Sequence, residues 1–199
     1  MGKIKFTKNE LKRQKDALKR FLRYLPTLML KKQQLQMEIR KIEAQYAELK
    51  RSREESYRKI HRWIALFGED VSLPELIHVQ SVDTEIGNIA GVDIPVFQNI
   101  EFTETPYDLF AVPLWVDTAV QKIKDLATLD AQIDILEKQA ELLGEELRVT
   151  SQRVNLFEKV KIPETRENIR IIQIYLGDEQ TAAVVRGKIA KNKLVRVSQ

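Results

Sequence analysis

Apolar residues recur along the first third of the chain with a period of seven. Counted from Leu11, one ladder reads Leu11, Leu18, Leu25, Lys32, Ile39, Tyr46, Arg53, Ile60 and Phe67; a second, three residues on, reads Gln14, Phe21, Leu28, Leu35, Ile42, Leu49, Ser56 and Trp63. Only Gln14, Lys32, Arg53 and Ser56 are neither apolar nor aromatic. A stripe sustained over about eight heptads exceeds what one face of a globular helix needs, and it predicts a coiled-coil helix. Thr7-Lys8-Asn9-Glu10 has the form of a capping box, which sets the start near Thr7, and Gly68 followed by Leu73-Pro74 sets the stop near Phe67. From Ala119 the ladder resumes as Ala119, Leu126, Ile133, Ala140, Leu147 and Val154, with Leu129, Leu136, Leu143, Thr150 and Phe157 at the second seam position. Pro163 predicts a kink or break. Beyond it Ile169, Ile172, Leu176, Ala183 and Ile189 keep roughly helical spacing, although the run from Ile169 to Leu176 also satisfies a strand.

Between the two ladders, Leu76 to Phe102 is rich in Val, Ile and Phe and lacks heptads. It predicts a β-hairpin with strands over about Ile77–Ile89 and Ile94–Phe102, turning at Ala90-Gly91-Val92-Asp93, where glycine supplies a positive φ. The fold class is therefore mainly α: a long antiparallel two-helix left-handed coiled coil with a small central β-hairpin insertion. One elongated domain, 1–199, divides into a first helix (7–67), a loop and hairpin region (68–113), a second helix (114–190) kinked or broken near Pro163, and a basic tail (191–199). At about 1.5 Å per residue the first helix is on the order of 90 Å long. Antiparallel helices put both termini at one end of a stiff rod, with the hairpin projecting at or near the other. Among the polar seam residues, Gln14, Ser56 and Thr150 can fix register, and Lys32 and Arg53 either do the same or reach solvent along their stems.

Composition narrows the chemistry. The chain has 31% charged residues, 7% aromatic and seven glycines, usage typical of long helices and not of a compact α/β enzyme. It has no cysteine, which excludes a disulfide scaffold and a thiol nucleophile and makes an intracellular setting the default. No apolar run is long enough for a membrane span, and the N-terminus lacks the apolar core of a signal peptide, so a soluble or peripheral protein is expected. His61 and His78 are the only histidines and lack ligand spacing; phosphate-binding glycine loops and the nucleophile elbow are absent. No catalytic, cofactor or metal site is expected.

Charge is uneven although the net value is only +4. Lys3, Lys5, Lys8, Lys12, Arg13, Lys15, Lys19, Arg20 and Arg23 face only Glu10 and Asp16 in their stretch, and Arg186, Lys188, Lys191, Lys193 and Arg196 have no acid among them. A basic end built from both termini suits nucleic acid, an anionic lipid surface, or an acidic or carbonyl-lined protein socket.

Asn88-Ile89-Ala90-Gly91-Val92-Asp93-Ile94-Pro95 in the hairpin, then Arg153-Val154-Asn155-Leu156-Phe157-Glu158 and Ile162-Pro163 in the returning helix, resemble the D subunit of the V-type and archaeal-type (A-type) rotary ATPases, in order and spacing over essentially the whole chain. The resemblance implies a central rotor axle without catalysis or cofactor of its own, in a cytoplasmic complex peripheral to the membrane. It implies as partners the catalytic A and B subunits, the small F subunit beside the hairpin, and the C subunit, the socket on the membrane ring, with no nucleic acid and no direct membrane insertion. The residues expected to meet the catalytic hexamer are Lys3, Lys5, Lys8, Lys12, Arg13, Lys19, Arg20, Arg186, Lys188, Lys191 and Lys193. Those expected near the F subunit are Asn88, Ile89, Ala90, Gly91, Val92, Ile94 and Pro95. A prefoldin-like chaperone or scaffold and a nucleic-acid-binding coiled-coil arm are the competing readings.

Overall fold

The computed structural model describes residues 4–61, 76–107, 113 and 115–197, with the backbone alone for 194–197. The elements are α1 (Lys8–His61), β1 (Ile77–Ile89), β2 (Val92–Glu104), α2 (Trp115–Asn155), a π-helical turn (Leu156–Lys161) and α3 (Ile162–Val197). Trp63, Phe67 and Gly68, on which the predicted end of the first helix rests, lie outside the described residues, as does Lys3. By contacts the chain forms two units, 1–31 with 150–199 and 32–149.

In the first unit the Thr7 hydroxyl accepts the Glu10 backbone N–H (3.2 Å) and the Thr7 carbonyl accepts that of Leu11 (3.0 Å), so the predicted cap starts α1. The Glu10 carboxylate receives Arg13 Nη2 (2.9 Å) and Gln14 Nε2 (2.8 Å). Gln14, a polar break in the seam, is thereby satisfied within its own helix. The Phe6 ring lies 4.9 Å from that of Tyr175, and Phe21 lies 5.1 Å from Phe157. Numbers rise on one helix as they fall on the other, so the pairing is antiparallel. Leu11, Leu18, Leu25 and Leu28 are half-buried along this seam, and Thr150, Val154, Ile162, Thr165 and Ile172 are buried.

Pro163 neither breaks the helix nor ends it. The disturbance falls just before it, in the turn closed by a hydrogen bond from the Ile162 N–H to the Phe157 carbonyl. The stretch from Ile169 to Leu176 is helical, not a strand, because Ile169, Ile172 and Leu176 recur at helical spacing on the inward face. The helix continues through 191–197, which composition alone set apart as a tail.

In the second unit, Leu35, Ile42, Leu143 and Ile94 form a buried cluster with Ile39, Leu136, Ala140 and Leu147 packed on it. Leu49, Leu126, Leu129 and Ile133 are half-buried along the same ladders. Ile94 belongs to the hairpin, so a third element covers the helical pair here.

The hairpin runs from Ile77 opposite Glu104 to Ile89 opposite Val92, with bulges between Val79 and Ser81 and between Asp83 and Thr84. The second strand is longer at both ends than predicted, because the turn needs only Ala90 and Gly91, at φ 53° and 78°. Two consecutive positive φ angles are what a tight hairpin requires to match strand twist. Gly87 answers a different need: a Cβ there would lie 2.8 Å from Val96 Cγ2.

The hairpin's base packs through Ile77 and Phe102 on Val116, Ala119, Val120 and Ile123 at the start of α2. Its turn packs through Ile89, Ala90 and Val92 on the cluster that holds Leu143. A strand of about twelve steps at 3.3 Å and an α2 segment of about 27 steps at 1.5 Å both span roughly 40 Å, so the two elements fit side by side. This corrects the expectation that the hairpin projects from the end of the helices. It lies along them, because both helices still have apolar flanks there that the hairpin's Ile89, Val92 and Ile94 can cover.

Candidate functional site

Two surfaces gather the sequence-predicted residues. The first is the basic region of the first unit. Lys5, Lys8, Lys12, Arg13, Lys19 and Arg20 are all exposed, and Arg13, Asp16, Lys19, Arg20 and Arg23 line one shallow depression. Arg186, Lys188, Lys191 and Lys193 are exposed too, but at a different level. Since Phe6 stands beside Tyr175, Arg186 lies about 16 Å further along α3, at 1.5 Å per residue. Every described residue from Gly177 to Lys193 is exposed. Side chains along nearly five turns of that helix are thus open to solvent. Val184, Val185 and Ile189 are 60%, 49% and 51% exposed there. Apolar and cationic residues stand side by side on this helix, with no acid after Glu179. Ala183 and Ile189, which the helical spacing placed with Ile169, Ile172 and Leu176, are exposed here, and Val184 and Val185 beside them were not singled out by the sequence, although Val185 and Ile189 stand at i and i+4.

The second surface is a groove of about 480 Å³ in the second unit, open along one side. Its floor is Ile42, Leu49, Ile94, Ile135 and Leu136, and its rim carries Glu38, Lys41, Gln45, Glu48 and Gln132. Of the residues predicted near a partner, Ile89 and Ile94 line it. Asn88 is occupied with the turn itself: its amide donates to Asp93 (2.6 Å) and its carbonyl oxygen accepts the Gly91 N–H (3.1 Å). Ala90 and Val92 pack into the cluster beneath. Gln139, which no pattern singled out, donates from its amide to the Pro95 carbonyl and pins the hairpin to α2. Nearby, Arg53 makes an ion pair with Asp130 of α2. This polar seam residue therefore neither enters the core nor trails into solvent alone.

Among the described residues, most of the shifted groups belong to surface ion pairs. Asp125 titrates below the ordinary carboxylate range because Lys122 donates to it, and Glu167 does so because Arg170 donates to both its oxygens. The Arg53 guanidinium is pushed further up by its hydrogen bond to Asp130. Tyr107 is raised by desolvation and by Asp117 beside it. Among the described residues no three His, Cys, Asp or Glu converge as metal ligands, and no helix is long and apolar enough to cross a membrane.

Residues 10–192 match the sequence family of the ATP synthase D subunit. The chain belongs to that family. It is 53% identical over 196 residues to the V-type ATP synthase D subunit of Borreliella burgdorferi, covering 98% of this chain and 97% of that one. The V-type ATP synthase D subunits of Chlamydia abortus and Chlamydia pneumoniae are 35% and 34% identical, with coverage of 97% and 96% of this chain and 94% and 93% of theirs. As a D subunit it is a non-catalytic member of its complex.

Proposed function

We propose that this chain is the central rotor axle of a V-type ATP synthase, carrying torque between the ring of catalytic A and B subunits and the ion-translocating ring in the membrane. The observation that carries the reading is the end of α3, where Gly177 to Lys193 continue as an exposed basic helix past the start of α1. That helix, with the collar Lys5 to Arg23 behind it, is the part that enters the bore of the hexamer. Torque then follows from differential binding. An axle whose sides differ in charge and apolar content favours a different conformation in each surrounding catalytic site, and turning it redistributes their nucleotide affinities. No nucleotide has to touch the axle.

The F subunit is assigned to the groove between the hairpin and the helices, whose apolar floor and polar rim offer a seat within the second unit. The C subunit takes the remaining axial contact toward the membrane, which leaves this chain cytoplasmic and peripheral. Reversing Lys12, Arg13, Lys19 and Arg20 to Glu in the assembled complex tests the axle. ATP hydrolysis should continue while ATP-driven ion transport drops at least tenfold, and transport that still tracks hydrolysis would overturn the assignment of torque to this collar. Isolation of the native complex supplies the broader check: two large subunits should accompany this chain in threefold excess.

A further inference from the structure

The ladder that begins at Ala119 advances by seven at every step except one. Val154 is followed by Ile162 and Phe157 by Thr165, each eight residues on; Ile169, Ile172 and Leu176 then resume at seven, and all of these side chains are buried or half-buried. In an unbroken α-helix one surplus residue would rotate everything beyond it by about 100°. Lys161, Glu164 and Asn168 would then fall on the seam in place of Ile162, Thr165 and Ile169. The π turn Leu156–Lys161 absorbs the surplus, since it closes over five residues instead of four. Directly after it Pro163 has no N–H, so a second main-chain bond is missing.

The partner helix carries its own defect at this place. Pro26 lies inside α1 and leaves the Leu22 carbonyl without its helical donor. The tilted Phe21 and Phe157 rings, 5.1 Å apart, set the register of the two defects: the Leu22 carbonyl and the π turn lie at this level, with Pro26 five residues to one side of it and Pro163 six residues to the other. A helical pair weakened in one strand is held straight by the other; weakened in both within a span of about three turns, it is held less firmly.

We propose that the level of Phe21 and Phe157 is a joint, at which this helical pair bends and twists more readily than above or below. Its parts have separate jobs. The surplus residue sets the phase of α3 against α1, the prolines remove main-chain bonds, and the buried Thr165 hydroxyl, donating to the Lys161 carbonyl at 2.6 Å, steadies the turn's last carbonyl. The joint is a property of the chain alone and stands or falls independently of the rotor reading.

Hydrogen exchange on the full-length chain tests it. Amides of 22–30 and 156–166 should exchange at least about tenfold faster than those of 11–20 and 145–153 on the same two helices. Deleting Lys159 joins Val154 to Ile162 and Phe157 to Thr165 at seven residues, so the variant should keep its helicity and slow exchange over 156–166 about tenfold. Deleting Glu145, which has no π turn to relieve, should instead disrupt the seam beyond it. Pro26→Ala and Pro163→Ala keep the length and should each slow exchange in their own helix. Wild-type exchange equal to that of the neighbouring turns would overturn the joint, and so would a Lys159 deletion as damaging as that of Glu145.

Discussion

Leu143→Ala is the most direct test of how the hairpin is held. Leu143 has no exposed surface and shares its cluster with Leu35 and Ile42 of α1 and Ile94 of β2, so three elements converge on one side chain. Returning a buried leucine side chain to water costs about 1.5–3 kcal/mol. The space left behind adds to that where neighbours cannot close in, and two stiff helices and a strand pinned by Gln139 limit such collapse. The sum is about 3 kcal/mol, inside the range of roughly 2–5 kcal/mol seen for buried Leu→Ala changes. At an m-value of about 2 kcal/mol per M, the urea midpoint should fall by about 1.5 M. Leu30→Ala is the control: that leucine is 57% exposed and its loss should cost no more than about 0.5 kcal/mol. Exchange should also quicken at Ile89 to Ile94, because the turn rests on the same cluster. If Leu143→Ala shifts the midpoint no further than Leu30→Ala does, the packing of the hairpin on the helices is wrong.

Three further outcomes follow from the same structure. A double-mutant cycle on Arg53 and Asp130, both nearly half exposed, should give a weak coupling that disappears in high salt; coupling that survives high salt would mean a pair far more buried than this one. Gly91→Ala should cost about 1 kcal/mol by thermal melting, because φ is 78° there while the space around the new methyl is open; no change in melting temperature would contradict that turn geometry. The Asp125 carboxyl is lowered by Lys122, so its folded-state pKa lies below its unfolded one. Its contribution is present above about pH 4 and lost as pH falls through the depressed value. Lys122→Ala should therefore narrow the stability gap between pH 7 and pH 3 by a few tenths of a kcal/mol, given how exposed the pair is, and an unchanged gap would remove Lys122 as the cause.

Periodicity in the sequence determined the helices and their inward faces, from the Thr7 cap to the seam residues Leu35, Ile42, Leu143 and Val154, because a heptad is a statement about one helix and its nearest neighbour in the turn. It also located the hairpin, with β1 placed at Ile77–Ile89, since a strand's apolar content and its glycine turn are equally local. Membership of the D-subunit family was legible from short motifs in the same way. Tertiary structure alone decided where the hairpin goes. Its docking joins Ile94 to Leu143 and Pro95 to Gln139 across more than forty residues, and nothing in either segment names the other. The same holds for Arg53, whose partner Asp130 stands 77 residues away. Pro163 shows the mixed case. The eight-residue step from Val154 to Ile162 was present in the sequence, but a proline and a surplus residue each admit a kink, a break or a π turn. The choice fell to whichever kept Ile162, Thr165 and Ile172 buried against α1, an energy that exists only once the two helices have met.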